Sequence, residues 1–189
     1  VVDIAGVSII GIGNGTNRPN LTQATTGSDN VMEISAANVL VENILFTGSA
    51  TGTNEVFIDV QGVANCTIRG CRFLHGSKNL DGITIQGPSS DYLTIENCEF
   101  FGTAAGVDNS ILFENITNST DNLFPTIRNC YFNYLESSGC DAGAICVSHS
   151  SGGTVGILIE DCTFIGLGNG EAAINPKGQA ATRCTGPHF

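Results

Sequence analysis

Five lines of this chain repeat one another: VLVENILF (39–46), CTIRGCRF (66–73), LTIENCEF (93–100), PTIRNCYF (125–132) and ILIEDCTF (157–164). They begin 27, 27, 32 and 32 residues apart, the self-similarity of an architecture that stacks one supersecondary unit on the next. Each column has its own chemistry. Val41, Ile68, Ile95, Ile127 and Ile159 share one, Ile44, Cys71, Cys98, Cys130 and Cys162 a second, and Phe46, Phe73, Phe100, Phe132 and Phe164 a third. These are expected to be inward-facing stacks. Between them Glu42, Arg69, Glu96, Arg128 and Glu160 alternate in sign. If the lines are adjacent parallel strands about 4.8 Å apart, each arginine lies between two carboxylates, an arrangement that sets register more than it stabilises. A further column, Asn43, Gly70, Asn97, Asn129 and Asp161, holds residues that tolerate positive φ, and its amides are expected to bond along the stack.

A second family of strands lies between the lines: VMEIS (31–35), VFIDVQ (56–61), ITIQG (83–87), ILFEN (111–115), AICVS (144–148) and AAIN (172–175). Its alternation places Met32/Ile34, Ile58/Val60, Ile83/Ile85, Ile111/Phe113 and Ile145/Val147 inside. Glu33, Asp59, Thr84, Leu112 and Cys146 fall outside, beside an outward column of Ser35, Gln61, Gln86, Glu114, Ser148 and Asn175. Each turn of chain supplies at least two strands, and parallel strands joined this way coil right-handedly in nearly all cases. The fold class predicted is all-β, a right-handed single-stranded parallel β-helix of about five to six coils. Residues 1–189 are expected to form one domain, part of a longer chain, with 1–30 as entry coil, 31–175 as regular coils and 176–189 as a C-terminal extension.

Composition agrees with that class: Gly is abundant at 24, Trp is absent and 13% of residues are charged. A net charge of −11 disfavours nucleic acid as a partner. No apolar run approaches the roughly 20 residues of a membrane span, so no membrane insertion is expected. Of eight cysteines, four belong to the ladder and are expected as reduced core thiols, because parallel Cβ vectors do not converge on a disulfide. Cys140, Cys146 and Cys184 fall outside it, and Cys140 with Cys146 is the one pair considered for a bridge. No zinc-type spacing occurs.

The columns, together with the opening VVDIAGVSIIGIGNGTNRPNL (1–21), resemble the pectate-lyase-like superfamily of β-helices, which includes pectin lyases, polygalacturonases, alginate epimerases, phage tailspikes and surface adhesins. The resemblance implies a scaffold, not a reaction. NLDGI (79–83) is similar to the polygalacturonase N-x-D-G segment that carries a catalytic aspartate, here Asp81. The Asp-Asp pair one coil later, the Gly-His-Gly and the Arg-x-Lys of that pattern are missing. Asp81-Gly82 therefore also reads as a turn leading into a strand. A lyase needs a base beside calcium-binding acids, and the outward face of the second strand family shows no basic residue.

Glu33 and Asp59 share an outward column on successive coils, a spacing that would suit a retaining glycosidase pair or part of a calcium site; adjacent solvated acids are the plainer reading. Glu114 is the third acid of that sheet, and Phe101, Tyr131 and Tyr134 are the aromatic candidates for sugar subsites. His75, His149 and His188 have no evident acid or nucleophile partner. The expected function is a non-catalytic structural or adhesive module of a virion (tail fibre, tailspike or decoration protein) or of a cell surface. It would contact a polysaccharide or surface glycan, or other protein subunits, a homotrimer among them, and would lie outside the cell. The alternative is a polysaccharide hydrolase or lyase using the outward acids, with calcium as the cofactor to consider and none otherwise expected.

Overall fold

The computed structural model describes residues 1–22, 30–48, 55–75, 80–87, 90–102, 107–116, 122–134, 140–149, 154–166, 173–177 and 180–185. Over these residues it is all-β, with one 3₁₀ turn at Gly15–Asn17, and the strands form three parallel sheets stacked as a β-helix. The first sheet runs through Ser8–Ile10, Leu40–Glu42, Thr67–Arg69, Thr94–Glu96, Thr126–Arg128 and Thr154–Glu160, and the last strand is also paired by Asn122–Leu123 and Ala180–Thr185. The second contains Asn20–Thr22, Leu45–Thr47, Arg72–His75, Glu99–Gly102, Tyr131–Asn133 and Thr163–Ile165. The third contains Met32–Ile34, Glu55–Gln61, Leu80–Gln86, Val107–Ile116, Cys140–His149 and Ile174–Lys177. Each coil passes from the third sheet to the first and then the second, so a coil has three strands.

The repeated line is thus not one strand but two, bent at its middle. Asn43, Gly70, Asn97, Asn129 and Asp161 sit at the bend with φ of 58°, 60°, 55°, 52° and 50°. Those are the left-handed backbones that Asn, Asp and Gly tolerate best. Asn43 bonds along the stack: its Nδ2 donates to the carbonyls of Gly11 and Gly13 on the coil before, at 2.8 and 2.7 Å, and ties the bend to the opening segment.

The core follows the columns. Val41, Ile68, Ile95, Ile127 and Ile159 are fully buried. Rings of Phe46, Phe73, Phe100, Phe132 and Phe164 stack at 5.0, 4.7, 4.8 and 4.7 Å with planes within 7°. The cysteines do more than fill space. Cys98 Sγ donates to the carbonyls of Glu96 (3.4 Å) and Ile68 (3.6 Å), and Cys71, Cys130 and Cys162 each repeat this pattern on their own coil and the one before. These four are free thiols. Burial pushes the Cys98 thiol well up from its ordinary range. Cys66 lies in another column and is also buried and free.

In the charged column each arginine stands between two acids by register, but the close contacts resolve into two pairs. Arg69 Nη2 meets Glu42 Oε2 at 2.8 Å, and Arg128 Nε meets Glu96 Oε2 at 2.7 Å. Glu160 continues the alternation beside Arg128 without closing to that distance. The strand Ala180–Thr185 sets Cys184 opposite Ile159, in register with the isoleucine column. The side chains of Cys140 and Cys184 lie outside the described residues, and so does any bridge from Cys140; Cys146 is buried on the third sheet.

Candidate functional site

The third sheet carries the acids, and its register places them. Glu33 is opposite Asp59, Asp59 opposite Thr84, Thr84 opposite Leu112, and Leu112 opposite Cys146. Alternation makes this an outward column, yet Asp59 is 2% exposed, Thr84 1%, Leu112 9% and Cys146 2%. From Asp59 onward the column is covered rather than solvated. Strand periodicity tells which face a side chain takes but not whether chain elsewhere closes over that face.

Asp59 is a hub of amides. Its Oδ2 accepts hydrogen bonds from Gln61 Nε2 (2.6 Å) and Asn30 Nδ2 (2.8 Å), with Gln86 Nε2 at 3.5 Å. Among the described residues, its buried Oδ1 and the neighbouring Thr84 Oγ1 meet no hydrogen-bond partner. Burial raises the Asp59 carboxyl above the ordinary carboxylate range; Gln61 and Asn30 oppose that rise and the nearby Glu33 charge adds to it. The two acids therefore differ: Glu33 is half-exposed while Asp59 is withdrawn into a hydrogen-bonded pocket. They offer two carboxylates on adjoining coils, short of the six to eight oxygens that calcium takes. Among the described residues no group of three or more His, Cys, Asp or Glu side chains is placed to hold a metal ion.

Glu114 is brought to the same sheet but not to the pair. It stands opposite Gln86 in the adjacent outward column, two coils beyond Gln61. Asp81 is not a turn residue: Asp81 and Gly82 lie inside the strand Leu80–Gln86, and Asp81 Oδ1 accepts a 2.9 Å bond from Asn109 Nδ2. Gly82 is demanded by contact, since a Cβ there would come within 2.4 Å of the Ser110 carbonyl and 3.1 Å of the Phe100 ring. Register also moves Asn175 opposite Cys146 and puts Lys177 opposite Ser148.

The expected aromatic subsites separate. Tyr134 is fully buried, its hydroxyl bonded to that of Ser110. Phe101 and Tyr131 lie on the outer face of the second sheet, ring centroids 5.9 Å apart, with the Arg72 guanidinium 4.4 Å over Phe101 and 3.5 Å from Glu99. His75 is buried against Phe57, centroids 5.3 Å apart. The His149 side chain and His188 lie outside the described residues.

Sequence reasoning missed a pair of exposed rings, Tyr92 and Phe124, 6.3 Å apart on successive coils. The signal was available one residue upstream of the repeated lines, where Asn38, Asn65, Tyr92 and Phe124 align.

No family model, curated protein or solved structure matches this chain.

Proposed function

We propose that this chain is a non-catalytic structural or adhesive module, a right-handed β-helix of the pectate-lyase-like kind, exposed on a virion or cell surface. Its ligands in this reading are a surface glycan or neighbouring protein subunits, a homotrimer being one such assembly. The observation that carries the proposal is the state of Asp59. A glycosidase pair needs two carboxyl groups facing a common opening into which a sugar fits. Here one of the two is covered and its Oδ2 is engaged by Gln61 and Asn30, a role that ties coils together. A stack of in-register coils also suits a rigid display scaffold.

The test is incubation with a panel of neutral and acidic polysaccharides, with and without calcium, following binding together with reducing ends and unsaturated products. Binding without product is the expected result. Product formation that disappears in both Glu33→Gln and Asp59→Asn would overturn the proposal in favour of a hydrolase or lyase.

A further inference from the structure

The bend between the third and first sheets forms a ridge with one residue per coil. Asn38, Asn65 and Tyr92 occupy it with left-handed backbones, at φ of 60°, 58° and 55°. Hydrogen bonds from Asn38 N to Ala64 O (3.0 Å) and from Asn65 N to Asp91 O (2.9 Å) fix successive coils. The bond from Thr126 N to Leu93 O (2.8 Å) brings Phe124 beside Tyr92 on the next. Asparagine accommodates such a backbone, whereas a bulky aromatic residue is strained in it. Burial does not offset that strain. Tyr92 is 63% exposed and Phe124 49%, and their rings lie 6.3 Å apart with 27° between the planes. Among the described residues the other exposed large hydrophobics, Val1, Ile4, Ile10 and Ile12, all belong to the opening segment. A strained, solvent-facing tyrosine stacked on a second exposed ring, on the flank of a stack, is where a ligand contact is expected.

We infer that the ridge Asn38–Asn65–Tyr92–Phe124 binds a neutral saccharide chain lying along the stack axis. This deepens the adhesive reading above and rests on it. The two rings offer apolar faces to the CH-rich faces of sugar rings. The exposed amides of Asn65 and Asn38 continue the line, and each can both donate to and accept from hydroxyls. Coils about 4.8 Å apart present these groups in a row, as an extended polymer requires. The net charge of −11 selects against uronate or sulfated chains.

The experiment titrates the parent with dextran, galactomannan and chitin oligosaccharides, and separately with polygalacturonate and alginate, beside Tyr92→Asn and Phe124→Ala. Tyr92→Asn installs the residue that the two preceding coils already use, so its thermal unfolding temperature stays at or above the parent's. The expected result is binding of a neutral chain and not of the acidic ones, weakened about tenfold or more in each variant. Parent-level binding by both variants overturns this site and leaves the adhesive reading standing. Binding of acidic chains alone, or of no saccharide, overturns the ligand class. Product release from any polysaccharide overturns the reading on which the site rests.

Discussion

The rings of Phe73 and Phe100 stack at 4.7 Å with 7° between their planes. They are Cα partners on adjoining coils, and the contact is one step of a column of five. Phe100→Ala removes a fully buried ring from the middle of it and is expected to cost about 3–5 kcal/mol. Phe101 follows on the same strand but faces outward under Arg72, so Phe101→Ala is expected to cost about 1 kcal/mol. Urea unfolding of the two variants measures the difference, and equal losses would contradict the assignment of faces.

The charge column predicts a salt-dependent coupling. Arg69→Glu would set carboxylates on three successive coils, at positions 42, 69 and 96, and lower the thermal unfolding temperature, more so at low ionic strength. Combining it with Glu42→Arg restores an opposite pair across that register position and recovers part of the loss. A double variant no more stable than the single one at low salt would count against the ladder.

Asp59 fixes the sign of a pH effect. Its folded pKa is raised above the ordinary 3.8, first by burial. The native state therefore holds this proton over a range of pH in which the unfolded chain has released it. Stability from this residue is fully present below the unfolded pKa and is lost as pH rises through the folded value. Asp59→Asn cannot titrate, so the variant's unfolding temperature minus the parent's is expected to become more positive from pH 3.5 to pH 7. A difference that is flat or moves the other way would show that burial does not dominate at this carboxyl.

The cysteine column predicts protection. Cys98 is fully buried, its thiol bonded to two carbonyls and held protonated by its surroundings. Alkylation at pH 8, followed by peptide mapping, should find Cys71, Cys98, Cys130 and Cys162 unmodified in the native protein and modified together once denaturant unfolds it. Rapid native-state modification of Cys98 would remove it from the core.

The parts of this fold legible in the sequence are those where like must stack on like. A ring, a thiol or a branched aliphatic side chain repeated once per coil leaves a visible column, and the alternation of Glu42, Arg69, Glu96 and Arg128 supplies the register. The bend at Asn43 and its counterparts was legible as a turn column, but not as the boundary between two sheets, because the line stays apolar-periodic across it. Asp59 was visible as an acid and invisible as a buried one. Gly82 looked like turn chemistry because Asp-Gly is a common turn pair, while the strand uses that glycine to let the Ser110 backbone and Phe100 come close. AAIN offers too short an alternation to fix the register that sets Lys177 opposite Ser148. Tyr92 lies one position before the first buried residue of its line, outside the apolar periodicity that makes the repeat visible.

The in-register stack is most directly tested by distance. Thr94 and Thr126 are Cα partners on adjoining coils, and Thr67 lies one coil before Thr94. Nitroxide labels on Thr94→Cys/Thr126→Cys and on Thr67→Cys/Thr126→Cys, with labelling of the parent subtracted, report one coil and two, about 5 and 10 Å between Cα atoms. Strong dipolar broadening of the first pair and distinctly weaker broadening of the second is the predicted result. Equal broadening, or the reverse order, would contradict the stack.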